Sequence, residues 1–338
     1  MKKAILFFLI AAVLIAAFCA WNIFGRAVSV PGGKYFYVST GSTYEDVKNN
    51  LIEQKIVTKV WFDFTAKKLN YQKTIKPGRY EIKNGLSLFK LIRLLKSGIQ
   101  SPVKLTITKL RTKEDLAKKV GNLFECDSLD MINFLNNEDS LSHYHLDSNL
   151  VISVIIPDTY LFFWNSTPQK IFQKLSNESN KFWTEERKQK ATSLGLTPLK
   201  SYILASIIEE ETRLKTDKGK IASVYLNRIA IGMPLQADPT VKFALKDFSL
   251  KRIYQKHLKV ESPYNTYLVR GLPPGPICTP SIETIEELLN APKTDYLYFV
   301  ASSNFDGSSV FASSYENHLK YAKEYQKALD NRDTTPKK

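Results

Sequence analysis

The chain has 338 residues, of which 43% are hydrophobic and 12% aromatic, so it can bury a sizeable core and general disorder is excluded. This length favours two domains over one. Lys and Arg number 48 against 33 Asp and Glu, which gives a formal net charge of +15. Such a charge suits an anionic lipid, an anionic wall polymer or a nucleic acid as partner, and it is equally explained by general lysine enrichment.

The first feature along the chain is an uncharged apolar run over residues 4–22. Its length matches the roughly 20 residues that a helix needs to cross a bilayer. Lys2 and Lys3 precede it, so the positive-inside rule predicts a cytoplasmic N-terminus and a body on the other side of the membrane. This topology argues against nucleic acid. The alternatives are a cleaved signal peptide, for which the run is long, and a lipoprotein, which the Phe18 before Cys19 disfavours.

Residues 34–105 predict a small unit with the order β-α-(α)-β-α. Thr43 is the expected N-cap of its first helix, because Asp46 follows three residues later and apolar residues recur beyond it. The stretch KPGRYEI, residues 76–82, predicts a turn into a short strand. A further helix follows and is expected to end at Gly98.

From residue 106 onward, predicted helices and strands are mixed without regular alternation, which indicates the α+β class. The expected organisation is a cytoplasmic stub and transmembrane helix over 1–28, the small unit over 34–105, a larger mixed α+β domain over 106–330 and a polar tail over 331–338. Predicted helices in the larger domain cover residues 112–122, 128–137, 167–179 and 181–194. Strands are expected at 295–302 and near Val310, and a closing helix from Tyr315.

One predicted helix ends in three consecutive carboxylates, within ASIIEEET at residues 205–212. Thr197 is its expected N-cap, with Pro198 at the first helical position. At about 100° per residue, Glu211 falls near the middle of an apolar arc, Glu210 lies at the edge of that arc and Glu209 points away from it. The arc consists of Leu199, Ile203, Leu204, Ile207, Ile208 and Leu214.

The helix arithmetic gives the three carboxylates different expected roles. Glu209 is expected on a solvated face, and the role of Glu210 stays open. Glu211 is expected to be buried or at the floor of a cleft, where an unpaired carboxylate is costly. Either an ion pair with Arg228 neutralises it, or its apolar setting raises its pKa so that it can act as a general acid.

Two polar stretches after this helix have the composition of a sugar-binding cleft. LQADPT, residues 235–240, is expected to hold Gln236, Asp238 and Thr240 on a loop fixed by Pro239. Residues 262–281 combine tyrosines, an asparagine and threonines with five prolines. Aromatic faces cover the C–H faces of sugars and amides bind hydroxyls. Taken alone, both stretches are equally compatible with tight structural turns.

Several stretches, taken together and in order, resemble the MltG (YceG-like) endolytic murein transglycosylase family. The resemblance covers nearly the whole chain, including the apolar N-terminal helix, and it identifies residues 34–105 as similar to the family's LysM-like subdomain and 106–330 as similar to its catalytic domain. The stretches that carry it are KPGRYEI, PDTY, ASIIEEET, ASVYLNRIAIGMPLQADPTV, YNTYLVRGLPPGPICTPS, TDYLYFVAS and SYENH.

The resemblance implies an enzyme that cuts the glycan strands of peptidoglycan internally, between N-acetylmuramic acid and N-acetylglucosamine. The family forms a 1,6-anhydromuramoyl end without water, so that one glutamate serves first as acid and then as base. In this chain that residue is Glu211. The positions that match cleft-lining residues of the family are Gln236, Asp238, Tyr264, Asn265, Thr266 and Tyr267.

The resemblance also implies partners and a location. No cofactor and no metal are expected, the substrate is the peptidoglycan glycan strand, and glycan polymerases of wall synthesis are implied partners. The expected location is the bacterial cytoplasmic (inner) membrane, crossed once, with the body periplasmic or extracellular.

Two other functions are compatible with the sequence. A muramidase-type hydrolase would need a second carboxylate, for which Asp238 is the candidate, although a loop-bracing role is as plausible for it. A non-catalytic wall-binding scaffold would need no acid at all. Metal chemistry has little support, because the histidines are scattered apart from His143 and His145. Pairing of Cys126 with Cys278 stays open.

Overall fold

The structure is a computed structural model that describes residues 2–334. Helices and short strands are mixed along the chain, which confirms the α+β class. The helices are α1 Lys2–Phe24, α2 Tyr44–Glu53, α3 Lys59–Lys68, α4 Leu88–Ser97, α5 Lys113–Leu123, α6 Ser128–Asn136, α7 Glu138–Ser142, α8 Pro168–Phe182, α9 Glu185–Ser193, α10 Pro198–Glu211, α11 Lys215–Ala230, α12 Asp238–Leu245, α13 Ile282–Leu289 and α14 Tyr315–Thr334. The strands are β1 Tyr35–Val38, β2 Gly78–Glu81, β3 Val103–Thr106, β4 Thr159–Phe162, β5 Tyr298–Ala301 and β6 Ser309–Ala312.

The apolar N-terminal run forms one continuous helix, α1. Its stretch Lys3–Phe24 is long and apolar enough to cross a membrane. Large apolar side chains along it, such as Phe7, Phe8 and Leu14, are exposed. An exposed apolar helix of this length is compatible with a single-pass membrane anchor.

The described chain divides into two compact units. The first runs to Leu105 and takes in Val120–Asp127 and Tyr160–Thr167. The second contains Thr106–Lys119, Ser128–Thr159 and the chain from Pro168 onward. The two short segments show that residues beyond 105 also belong to the first unit.

In the first unit, the structure contains the elements that local sequence signals predict. Thr43 and Asp46 make the predicted capping box at the start of α2. Strands β1 and β2 pair antiparallel, with Phe36 opposite Tyr80, and both side chains are fully buried. Helix α4 ends at Gly98, whose φ of 72° is a left-handed conformation that costs glycine little.

In the second unit, α10 lies in the interior. It packs against α9, α11, α12 and α13, and every residue from 201 to 208 is buried. Strands β5 and β6 pair antiparallel, with Phe299 opposite Phe311, and both rings pack against the same core. The carboxylates at the end of α10 therefore emerge from the middle of this unit.

The segment predicted as a polar tail begins within the last helix. Helix α14 continues to Thr334, so residues 331–334 are helical, while residues 335–338 lie outside the described part of the chain.

Cys278 is a buried free thiol. Its Sγ donates to the carbonyl oxygen of Ser206 at 3.4 Å, and within the described residues no disulfide joins it to Cys126.

Candidate functional site

Helix α10 carries the three glutamates to its C-terminal end. Thr197 caps its start through the amide of Lys200, and Pro198 lies in the first turn, as predicted. The helix ends at Glu211, because Thr212 adopts an extended conformation. The negative end of the helix dipole and the neighbouring like charges both disfavour carboxylates here. Each glutamate therefore needs a compensating environment, and the three environments differ.

The apolar arc predicted for α10 is only partly correct. Leu214 is the N-cap of α11 and not a residue of α10, and Leu199 is exposed. Ser201, Ala205 and Ser206, on the other faces, are buried. A helix that is buried all round has no solvated face, so the arc alone cannot separate the three carboxylates.

Glu209 is not on a solvated face, and that prediction is wrong. Its side chain is only 15% exposed. Its Oε2 accepts hydrogen bonds from the Ser281 hydroxyl, at 2.8 Å, and from the Thr284 hydroxyl. The Nζ atom of Lys109 lies 3.6 Å from Oε1 of Glu209, and the Nζ atom of Lys218 lies 3.8 Å from its Oε2. Burial by itself raises the pKa of Glu209, but these hydrogen bonds and charges outweigh it and lower that pKa below its usual 4.5.

Glu210 is paired with two cations from the segment that follows β3. Lys109 Nζ lies 2.9 Å from its Oε1 and Arg111 Nη2 lies 3.1 Å from its Oε2. Burial again raises the pKa and the two cations lower it, with the net result below 4.5. Glu210 is therefore an ionised structural carboxylate at neutral pH.

All three glutamates line a cavity of about 450 Å³, which we call the charged cavity. Its lining residues are Lys109, Arg111, Glu209, Glu210, Glu211, Thr212, Arg213 and Lys218.

Glu211 has a different environment from its two neighbours. It is half-buried, and its Oε1 accepts a hydrogen bond of 2.7 Å from the Tyr225 hydroxyl. Among the described residues, no cation forms an ion pair with it. The alternative ion pair with Arg228 is not formed, because that guanidinium donates to the carbonyl oxygens of Leu297 and Leu235.

The pKa of Glu211 is raised to about 7. Burial is the largest cause, and the nearby charge of Asp238 adds to it. The hydrogen bond from Tyr225 and the more distant charges of Arg228 and Lys242 act in the opposite direction. Near neutral pH, Glu211 is thus present in both its protonated and its ionised form, as a group that first donates and then accepts a proton requires.

Glu211 also faces a second cavity of about 290 Å³, which we call the Glu211 cavity. Its walls combine hydrogen-bonding groups with one apolar ring and come from five secondary-structure elements and two loops. The residues are Glu211, Arg228, Gln236, Asp238, Tyr267, Phe299 and His318. The structure thus brings Gln236, Asp238 and Tyr267, three of the predicted site residues, together with Glu211.

Asp238 does not lie on a loop, which corrects the prediction for LQADPT. It is the first residue of α12, and Pro239 follows it in the first turn. Thr240 is buried and donates to the carbonyl oxygen of Ala237. Asp238 itself is exposed and accepts a hydrogen bond of 2.7 Å from the Tyr267 hydroxyl. An anion at a helix N-terminus is favourable, so the structure holds this second carboxylate in place.

The remaining predicted site residues have other positions. Asn265 and Thr266 are buried, and they brace the loop instead of lining the Glu211 cavity. Asn265 donates to the carbonyl oxygens of Leu258 and Val260. Thr266 accepts from the amide of Ala237. Tyr264 lines a separate cavity. The loop's amide and hydroxyl groups thus mostly serve the protein's own backbone.

Gln236 has a backbone conformation that is uncommon for a residue with a side chain. Its φ is 52°, in the left-handed region, and its amide donates to the carbonyl oxygen of Thr266 at 3.0 Å. Such strain persists only where the surrounding contacts fix it, and it is frequent at functional sites. Here it places an exposed amide side chain beside Asp238 on the wall of the Glu211 cavity.

Sequence reasoning missed several residues of the two cavities. Tyr225 lies in a stretch that supported the family resemblance. The signal that could have identified it is that a buried tyrosine hydroxyl normally needs a partner, and the helix before its own ends in three glutamates. Lys109 and Lys218 carried no signal beyond their charge. Phe299 and His318 belong to stretches that supported only the family resemblance. Within the described residues, there is no cluster of three or more His, Cys, Asp or Glu side chains fit to hold a metal ion.

Comparison with known proteins finds the same family throughout. The model of the YceG-like family matches residues 36–324. An endolytic murein transglycosylase of Bacillus subtilis is 32% identical over 263 residues, which are 73% of this chain and 72% of that protein. One of Streptococcus pneumoniae is 28% identical and covers 86% of this chain. This chain spans only 56% of the length of the pneumococcal protein.

A solved structure agrees with these sequence matches. A crystal structure at 2.6 Å of a protein from Listeria monocytogenes, described as yceG-like, superposes with a TM-score of 0.57 at 27% sequence identity. It covers 85% of this chain and 97% of the other. With the family model matched over most of its length, the chain belongs to the YceG-like family.

Proposed function

We propose that this protein is an endolytic lytic transglycosylase, which cuts peptidoglycan glycan strands between N-acetylmuramic acid and N-acetylglucosamine and leaves a 1,6-anhydromuramoyl end. The observation that carries the proposal is the environment of Glu211. It is a half-buried carboxyl that forms no ion pair with any cation in the described part of the chain, it lies beside a cavity, and its pKa is raised to about 7. The names of the bacillary and pneumococcal relatives support the same activity.

In the first step, the protonated carboxyl of Glu211 donates its proton to the glycosidic oxygen between the two sugars. The bond from that oxygen to the anomeric carbon of the muramoyl residue then breaks, and the N-acetylglucosamine leaves as an alcohol. The muramoyl ring carries oxocarbenium character at this stage. The Tyr225 hydroxyl, which donates to Glu211 at 2.7 Å, stabilises the carboxylate that remains.

In the second step, the 6-hydroxyl of the muramoyl residue attacks its own anomeric carbon. The Glu211 carboxylate takes the proton of that hydroxyl, so the enzyme returns to its starting form. No water is consumed, because the attacking oxygen belongs to the substrate. One acid and base residue therefore completes the cycle, and an ordinary carboxyl with a pKa of 4.5 would be a much poorer acid near pH 7.

The other groups of the Glu211 cavity serve binding in this proposal. The amide of Gln236 and the hydroxyl of Tyr267 offer hydrogen bonds to the sugar, and the Phe299 ring offers an apolar face. Asp238 orients the Tyr267 hydroxyl. Its negative charge also raises the pKa of Glu211.

A muramidase-type hydrolase is the second candidate, because Asp238 is another carboxylate of the same cavity. In a hydrolase this residue would activate a water or act as nucleophile. The product ends distinguish the two reactions. The transglycosylase gives anhydro ends, whereas a hydrolase gives reducing ends that contain oxygen from solvent.

The rest of the chain suggests where the reaction takes place. We propose that α1 anchors the protein in the bacterial cytoplasmic membrane with its N-terminus inside, because Lys2 and Lys3 precede the span. The body then faces the nascent wall, where glycan strands are the substrate and glycan polymerases the expected neighbours. The first unit, in the LysM-like role, would hold the strand.

The test is a digest of purified glycan strands by the full chain in detergent, carried out in water enriched in oxygen-18. Mass spectrometry then identifies the new ends. We expect anhydro ends without the label, and a loss of about a thousandfold in Glu211→Gln, since a general acid typically contributes 10²–10⁴-fold. Glu186→Gln is the matched control, because Glu186 is exposed on α9.

Two results would contradict the proposal. Labelled reducing ends would establish a hydrolase. A wild-type protein that binds strands without cutting them, with Glu211→Gln indistinguishable from it, would establish a wall-binding scaffold.

A further inference from the structure

His318 belongs to the Glu211 cavity but has no part in the reaction described above. It lies in the first turns of α14, the last helix of the second unit. Its side chain lines the same cavity as Glu211, Asp238 and Tyr267. The imidazole therefore faces the space in which the reacting sugars would bind.

Aromatic neighbours fix the orientation of the imidazole. The ring stacks on Tyr298, with 5.3 Å between centroids and 26° between planes. The ring of Tyr315, on the same helix, also stacks on the imidazole, with 6.1 Å between the centroids and 29° between the planes. The guanidinium of Arg228 lies 5.5 Å from the centroid of the Tyr298 ring. A ring held in this way offers its nitrogens in fixed directions, as a positioning group must.

The hydrogen-bonding capacity of His318 is unused within the described protein. Its Nδ1 is shielded from solvent and has no hydrogen-bond partner, and no described protein group hydrogen-bonds the other ring nitrogen. Buried polar atoms in proteins nearly always have a partner, and each exception needs an explanation. Because Nδ1 is shielded, Nε2 is the ring nitrogen left for a ligand in the Glu211 cavity.

The charge of the ring restricts the ligand. Burial and the positive charge of Arg228 both lower the pKa of His318, so its imidazole is neutral near pH 7 and offers one N–H donor and one acceptor nitrogen. Nε2 is the donor in one tautomer and the acceptor in the other, and a sugar hydroxyl or an acetamido group matches both, because each of these groups donates and accepts.

We propose that His318 is a substrate-positioning residue whose neutral imidazole hydrogen-bonds a hydroxyl or acetamido group of the hexosamine in the Glu211 cavity. The inference rests on the proposed function for the identity of the sugar. It adds a contact from α14, the last helix, to the cavity that α10, α11 and α12 share.

Nuclear magnetic resonance of the histidines tests the contact on the native residue. The chain has four histidines, so ¹³C-labelled histidine in the full chain in detergent gives four ring signals, and His318→Gln identifies the one from His318. Peptide-free glycan strands are added to the Glu211→Gln protein, which does not consume them. We expect the His318 signal to move and the signals of His143, His145 and His257 to stay. A His318 signal that does not move overturns the inference.

Steady-state cleavage of the same strands measures what the contact contributes. We expect His318→Ala to lower kcat/KM about tenfold to a hundredfold, the usual effect of a lost ligand hydrogen bond. His318→Gln should recover part of the loss, because its amide nitrogen approximates Nε2, and His318→Asn, whose amide nitrogen approximates the shielded Nδ1, should recover less. His143→Gln is the control, since His143 is exposed on the short segment after α7.

The two measurements separate this inference from the proposed function. If the wild type cuts no strands, the proposed function fails, yet a moving His318 signal still supports the contact. If the wild type cuts strands and His318→Ala retains its full kcat/KM, the proposed function stands and the contact is overturned. Equal losses in the Ala, Asn and Gln variants with an unmoved signal would indicate a structural role and would also overturn it.

Discussion

The charged cavity and the Glu211 cavity meet at the end of one helix, yet they shift the pKa values of their glutamates in opposite directions. In the charged cavity, Glu209 and Glu210 are matched by Lys109, Arg111 and Lys218 and have lowered pKa values. In the Glu211 cavity, the carboxyl meets a tyrosine hydroxyl and a second carboxylate, and its pKa is raised to about 7. Burial raises the pKa of all three glutamates. The hydroxyls of Thr284 and Ser281, with two lysines, outweigh it at Glu209, and two cations outweigh it at Glu210, whereas the hydrogen bond from Tyr225 does not outweigh it at Glu211.

This difference teaches how a single proton donor can be kept among three adjacent acids. Successive residues of a helix point about 100° apart, so the three side chains meet different neighbours. Hydrogen bonds and ion pairs keep Glu209 and Glu210 ionised. Glu211 is left to titrate near neutrality.

Of the tests of this contrast, the pH dependence of cleavage should show the strongest response. Because Glu211 must start protonated, kcat/KM should fall about tenfold per pH unit above about pH 7, and about a hundredfold by pH 9. Initial rates on purified glycan strands between pH 5 and pH 9 measure this limb. A rate that stays level from pH 6 to pH 9 would exclude Glu211 as the acid.

The next effect concerns stability and compares Glu209→Gln with Glu211→Gln. Glu209→Gln leaves Lys218 and Lys109 short of a counter-charge, so we expect a loss of about 2 kcal/mol in the free energy of unfolding at pH 7. Glu211→Gln breaks no ion pair and should lose little. Chemical denaturation of both variants and the wild type measures this.

The contributions of Glu209 and Glu211 to stability should depend on pH with opposite signs. The pKa of Glu209 is lowered, so its stabilisation is present above pH 4.5 and is lost as the pH falls through the lowered value. The pKa of Glu211 is raised, so its contribution is present below pH 4.5 and is lost as the pH rises through about 7. The free energy of unfolding of Glu211→Gln should therefore rise relative to that of the wild type between pH 6 and pH 8. Equal pH profiles for the two variants would contradict the contrast.

The smallest expected effect is a shift of the alkaline limb by Asp238→Asn. Removing this negative charge should lower the pKa of Glu211 and move the fall in kcat/KM to lower pH by a few tenths of a unit. The hydrogen bond from Tyr267 can be kept, since the amide oxygen of Asn also accepts. Asp306→Asn is the control, because Asp306 lies outside both cavities and is exposed. Complete loss of cleavage in Asp238→Asn would favour a hydrolase.

Local rules predicted the parts of the fold that depend on neighbouring residues. The membrane-length helix, the Thr43–Asp46 capping box, the start of α10 at Pro198 and the end of α4 before Gly98 were all readable in this way. Each depends on contacts within one or two turns. The start of α12 at Asp238 was missed, because LQADPT carries the polar and proline signals of a loop as well as those of a helix start.

By itself, the sequence determined the family, the α+β class and the choice of Glu211 as the candidate acid. Only the tertiary structure decided what surrounds each carboxylate. Glu209 is enclosed because α13 supplies Ser281 and Thr284 to a face that periodicity assigned to solvent. His318 and Phe299 reach the cavity from distant parts of the chain. Periodicity tells which face of a helix is apolar, but burial, ion pairing and pKa depend on the elements that pack against every other face.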